Sequence, residues 1–254
     1  MSTQIPETLP AILLALVDRP GEAFRAIAAR ARRLWLVPFA FLVVVMLAST
    51  FITADHYARL QAEISRYWIE HGRFAEQMPP DAREQALEQI ERQAERGASS
   101  SLLALSIGGG VVGTVLGWLI WGAVLHYAAT LQGSETSRFD AMFNVAAWAW
   151  IPHGLGQLVK AGFTLFSGRL PLYDGLSFLV ATGNYPLDSM NPLFQFLSGL
   201  TLWQLASWWL LVAGASAVSG QSRRRWAGLV LGVWLLFAFL KLVPLLVQRR
   251  FMGI

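Results

Sequence analysis

The stretch LLALSIGGGVVGTVLGWLIWGAVLHYAATL, residues 102–131, contains no Asp, Glu, Lys or Arg. A helix rises about 1.5 Å per residue, so crossing a hydrocarbon core of about 30 Å takes about 20 apolar residues. This run exceeds that length, and the surplus implies tilt or protrusion. Four further apolar runs lie around it, at 35–53, 139–166, 193–218 and 226–247, and Pro152 interrupts the second of these. None alternates with period two, which argues against a membrane barrel. Backbone groups in lipid must be paired within their own segment, so each run is expected to be helical. The expected fold class is all-α: a polytopic membrane protein of five transmembrane helices with an external helical hairpin.

Composition agrees. Of 254 residues, 55% are hydrophobic and only 14% charged, against roughly 25% charged in soluble domains. The mean hydropathy is +0.46. The absence of cysteine excludes disulfides, thiolate metal sites, iron–sulfur clusters and thiol catalysis. The net charge of +4 is not a nucleic-acid signal, because the basic residues flank apolar runs, where a membrane protein needs them. The partner this points to is the lipid bilayer, with no nucleic acid.

Residues 1–34 read as a cytoplasmic lead-in rather than a cleavable signal, since 34 residues precede the first apolar run and no small-residue cleavage site follows it. Within it, Phe24, Ile27, Ala31 and Leu34 form one helical stripe, with Arg25, Arg30, Arg32 and Arg33 on the polar side and at the end. That pattern suits a helix lying in the headgroup plane; the alternative is an amphipathic helix packed on the protein. Lys and Arg in short loops set orientation. The lead-in arginines and Arg223, Arg224 and Arg225 are expected inside, which places the N-terminus in the cytoplasm and the C-terminus outside. Arg249 and Arg250, after the last run, are an exception to this rule.

The outer segments are then 54–101 and 167–192. In the first, Leu60, Ile64, Tyr67, His71 and Phe74 recur at helical spacing. Pro79-Pro80 breaks the chain, and Asp81 with Glu84 resembles a capping box opening a second helix. The two helices are expected to form a hairpin that binds a partner, packs on itself or caps the bundle. The second segment is rich in Gly and Pro. Its apolar piece, 176–181, is too short to span, which suits an interfacial or re-entrant piece.

Small residues recur every fourth position at Gly109, Gly113 and Gly117, and again at Gly228 and Gly232. Lacking Cβ, such faces let helices approach closely, either in a homo-oligomeric seam or within one bundle. Ionisable groups in lipid are costly and need a reason. Lys160 and Lys241 lie close enough to the outer helix ends to snorkel. His153, Gln157 and Lys160 make a candidate polar stripe after Pro152, which could line a cavity or proton path or be satisfied by hydrogen bonds. His126 and Asp140 sit at run ends and suit headgroup or helix-terminus contacts. No HExxH, GxSxG or P-loop pattern is present. No catalytic, cofactor or metal residues are therefore assigned.

The layout resembles the Yip family, membrane proteins named for interacting with Ypt/Rab GTPases, and within it the bacterial branch. Three features carry the resemblance. Pro10, Pro20 and Pro38 are spaced through the lead-in. The entry Gly133-Ser134-Glu135-Thr136-Ser137-Arg138-Phe139 is followed by the Ile151-Pro152 step. The last third runs from 192–200 through Leu202-Trp203 and 208–220 to a basic turn and a final apolar helix. The resemblance implies five spans, a cytoplasmic N-terminus, the bacterial cytoplasmic (inner) membrane, and partners that are membrane proteins or further copies of the chain. It carries over no catalytic residue. The expected function is a non-enzymatic membrane scaffold or adaptor for partner proteins or lipid. The alternative is a small transporter or channel built on the polar stripe.

Overall fold

A computed structural model describes residues 8–30, 33–72, 77–97, 99–134 and 137–252. Ala31, Arg32, Phe74, Glu135 and Thr136, named above, lie outside the described residues. The helices are α1 (Leu9–Asp18), α2 (Pro20–Arg30), α3 (Leu36–His71), α4 (Pro80–Arg96), α5 (Ser100–Leu131), α6 (Phe139–Ala149), α7 (Ile151–Ser167), α8 (Tyr185–Ser189), α9 (Pro192–Ser198), α10 (Leu202–Ser219) and α11 (Arg223–Met252), with one 3-10 turn at Ser177–Leu179. Among the described residues there is no strand. Among the described residues, four helices are long and apolar enough to cross a membrane: Leu36–His71, Leu103–Leu131, Leu202–Ser219 and Arg223–Arg250. Only 6% of the most apolar window is buried in α5 and in α11, so their apolar side chains face outward, as a lipid solvent requires. The chain is an all-α polytopic integral membrane protein.

The run 139–166 is carried by α6 and α7, which meet at Trp150. Pro152 causes the break, having no N–H to give the Trp148 carbonyl one turn back. Eleven and 17 residues are each short of a span. The run 193–218 is also divided, between α9 and α10. Here the cause is tertiary. The Leu197 carbonyl accepts the N–H of Leu176 at 3.1 Å. Gly175 makes the approach feasible: a Cβ there would come within 2.7 Å of the Leu200 carbonyl oxygen, and its φ of +54° is one that L side chains rarely adopt.

The chain divides into two compact units. The first comprises Met1–Met46, Gly108–Gly156 and Trp203–Trp234. Its core joins Ile12 and Leu16 of α1, Phe24 and Ile27 of α2, Leu125, Met142, Val145, Trp148, Leu211 and Trp226. α6 is buried along most of its length, as expected for a helix apolar all round. Gly214 of α10 lets α2 in: a Cβ there would lie 2.9 Å from the Phe24 ring and 2.7 Å from Val145 Cγ1. This corrects the headgroup-plane expectation for the lead-in. Phe24 and Ile27 are 0% and 1% exposed, so this apolar stripe covers the protein core, and the helix with an outward apolar face is α1, through Leu13, Leu14 and Val17.

The second unit comprises Leu47–Ile107, Gln157–Leu202 and Leu235–Ile254. The C-terminal part of α3 continues its apolar part without a break, and α4 returns beside it. Arg66 pairs with Glu91, and Arg83 donates to the Glu70 carbonyl oxygen. The capping-box expectation is corrected. Pro79 is the N-cap of α4 with no side-chain cap bond, and Asp81 lies inside the first turn.

In the short helix α8, Asp188 is 1% exposed. Its two carboxylate oxygens accept the Thr182 N–H at 2.9 and 3.0 Å, and Oδ1 also accepts the Thr182 hydroxyl at 2.8 Å. Asp188→Ala leaves that amide without its acceptor and should destabilise the protein by about 1.5–3 kcal/mol. Asp188→Asn, which keeps one acceptor oxygen, should recover roughly half of this. Thermal unfolding in detergent measures both.

Candidate functional site

The three residues of the polar stripe receive different surroundings. In the first unit, Nδ1 of His153 lies 2.8 Å from Ser207 Oγ, and Nε2 lies 3.1 Å from Gln204 Oε1. Gln204 Oε1 can only accept, so Nε2 donates to it, while Nδ1 pairs with the Ser207 hydroxyl, which can donate or accept. The ring also stacks on Trp150, with centroids 5.2 Å apart. Both partners come from α10, one turn apart, so His153 ties α7 to α10. Gly156, one turn of α7 further on, admits Trp203 against the helix backbone.

Gln157 and Lys160 belong to the second unit. Gln157 is exposed. Lys160 Nζ lies 2.6 Å from Asp174 Oδ2, with both side chains about one-third exposed. Tyr173 and Tyr185 pack edge-to-face with each other and with Phe194. Burial, then the neighbouring acidic groups Tyr57, Asp174 and Tyr173, push the Tyr185 phenol above its ordinary value. Lys241 is exposed on α11.

The glycines divide as well. A Cβ added at Gly109, Gly113, Gly228 or Gly232 would meet no heavy atom within 4 Å, whereas at Gly117 it would touch the Trp150 ring at 3.4 Å. Close helix approaches within the first unit instead use Gly122 against Phe143 and Gly154 against Phe41 and Leu42. At the other run ends, His126 Nδ1 lies 3.1 Å from Ser137 Oγ. Asp140 accepts the Arg138 guanidinium and the Ala141 N–H.

One constellation was missed from sequence. Ser219 Oγ donates to the Ala215 carbonyl at 2.6 Å and accepts the Trp226 indole N–H at 3.0 Å and the Gln221 N–H at 3.2 Å. Its carbonyl accepts from Ser134 Oγ, while Gln221 Nε2 donates to the Gln132 carbonyl. These bonds pin the turn before α11 to the turn after α5. The signal was Ser219-Gly220-Gln221-Ser222, a run of turn residues between apolar segments, but such runs do not name their partners.

Among the described residues, no three His, Asp or Glu side chains gather as a metal site would require. No curated protein and no solved structure matches the chain. The family model described as the Yip1 domain matches residues 14–243. That match covers nearly all of both units, from α1 to within α11, and with it the chain belongs to the Yip1 domain family.

Proposed function

We propose that this protein is a non-enzymatic membrane scaffold or adaptor that holds partner membrane proteins or further copies of itself. It would reside in a bacterial cytoplasmic membrane with the N-terminus inside and the C-terminus outside. The observations that carry the reading are two uncovered small-residue faces, Gly109 and Gly113 on α5 and Gly228 and Gly232 on α11. In lipid, helix association rests on close van der Waals packing, and these are the positions where another helix backbone would come closest. His153 supports the same reading over a transporter, because both ring nitrogens have side-chain partners. In this reading His153 serves as a tie between α7 and α10.

The test is crosslinking of tagged full-length protein in its native membrane, followed by identification of what is recovered. The expected result is a stoichiometric partner or a self-adduct, lost in the Gly113→Ile/Gly228→Ile variant with the melting temperature unchanged, since both sites open to empty space. Recovery of uncrosslinked monomer alone would sink the scaffold reading. Proton flux in reconstituted vesicles that disappears in His153→Ala would favour the transporter.

A further inference from the structure

Between α2 and the α10–α11 turn lies a cleft of about 270 Å³, lined by Gly21, Arg25, Ser216, Gly220, Gln221 and Arg223 together with two alanines. Its size is just under the ~300–1,000 Å³ of sites for drug-sized molecules, and suits a headgroup. No acid lines it. Glu22, beside Gly21 in sequence, is engaged by Arg19. Among the described residues, neither Arg25 nor Arg223 forms an ion pair.

The electrostatics of α11 point the same way. The helix opens Arg223-Arg224-Arg225 with no acid in its first turn. Three cations therefore stand at the positive end of a 30-residue helix, where the macrodipole disfavours them. The first backbone N–H groups there have no partners within the helix. Orientation by loop charge accounts for basic residues in this turn. It does not account for Arg25 of another helix lining the same half-open cleft as Arg223. The Ser219 and Gln221 bonds described above hold the turn in place, and Gly220, at φ +73°, gives its reversal.

We infer that this cleft binds a phosphate-bearing anion through Arg25 and Arg223, either the phosphodiester of an anionic lipid headgroup or inorganic phosphate. Guanidinium forks match phosphate oxygens with paired charge-assisted hydrogen bonds, and the α11 N-terminus supplies backbone donors and a favourable dipole. The proposal stands apart from the scaffold reading, since it needs no protein partner.

Native mass spectrometry of the full-length protein in detergent tests it, with phosphatidylglycerol and inorganic phosphate titrated separately. One saturable adduct is expected, at least about tenfold weaker in Arg25→Gln/Arg223→Gln, because each lost charged hydrogen bond is worth about a factor of ten. Arg249→Gln/Arg250→Gln should bind as the unaltered chain does. The double Arg→Lys variant, which keeps charge but not the fork, should fall between, and it replaces the Gln variant if that one melts early. Saturation by phosphatidylglycerol alone identifies a lipid headgroup; saturation by phosphate, with displacement of the lipid, identifies the free anion. Undiminished binding in the Gln and Lys variants, no saturable adduct with either probe, or equal loss in the Arg249/Arg250 variant would overturn the assignment.

Discussion

Phe24→Ala should lower the unfolding free energy by about 3–5 kcal/mol, the usual range for emptying a buried aromatic site. The upper part of that range is expected. The Phe24 ring is fully buried and lies within contact of the bare backbone at Gly214, so α10 has no side chain there to relax into the void. Val145 borders the same space from α6, and α6 is itself fixed by burial along most of its length. Unfolding in detergent, followed by tryptophan fluorescence, measures the loss. A headgroup-plane role for α2 makes the opposite forecast: Phe24→Ala would weaken vesicle binding and leave stability in micelles unchanged.

Trp226→Ala should cost a similar amount, about 3–5 kcal/mol. The indole is 0% exposed, and its N–H is one of the two donors that Ser219 Oγ accepts. Trp226→Phe separates the two contributions. It keeps most of the apolar contact and loses the hydrogen bond, for an expected loss of about 0.5–1.5 kcal/mol. Equal destabilisation by the two variants would mean that the bond, not the packing, holds the turn.

The difference between these residues and the rest of the lead-in shows how far the sequence can be read. The spanning runs were legible because lipid demands long, uncharged, self-paired segments. The helical period of Phe24 and Ile27 was equally legible. What period 3.6 does not state is which medium an apolar face meets, and here the protein core outcompeted the bilayer. The break at Pro152 was readable because its cause is local. The break between α9 and α10 was not, because a carbonyl there is claimed by Leu176, 21 residues earlier in the chain. Asp188 went unnoticed for a similar reason, since a carboxylate in a Gly- and Pro-rich loop resembles a solvated one until its Thr182 partner is seen. Of the polar stripe, the residues were legible and their partners were not: Gln204, Ser207 and Asp174 lie on other segments, and i, i+4 spacing says nothing about them. The glycine repeat announced smooth helix faces, but only the structure separates the outward Gly113 from Gly117 under Trp150.

The pairing of Lys160 with Asp174 also bears on biogenesis. The carboxylate lies 14 residues after the lysine, so at roughly 5–20 residues per second it is synthesised about 1–3 s later. During that interval the Lys160 cation of α7 lacks the Asp174 carboxylate that pairs with it in the folded chain. A lysine at the centre of a span costs about 2.5–3.5 kcal/mol on insertion scales, and less near its end, where the side chain can reach the interface. Lys160 is seven residues short of the end of α7, within that reach. Since α7 alone is short of a span, the lysine can keep its charge at the interface by snorkelling, and Asp174 pairs with it once the following loop is made. Order of synthesis separates a transient state, held by interfacial water, from the final one, held by an ion pair.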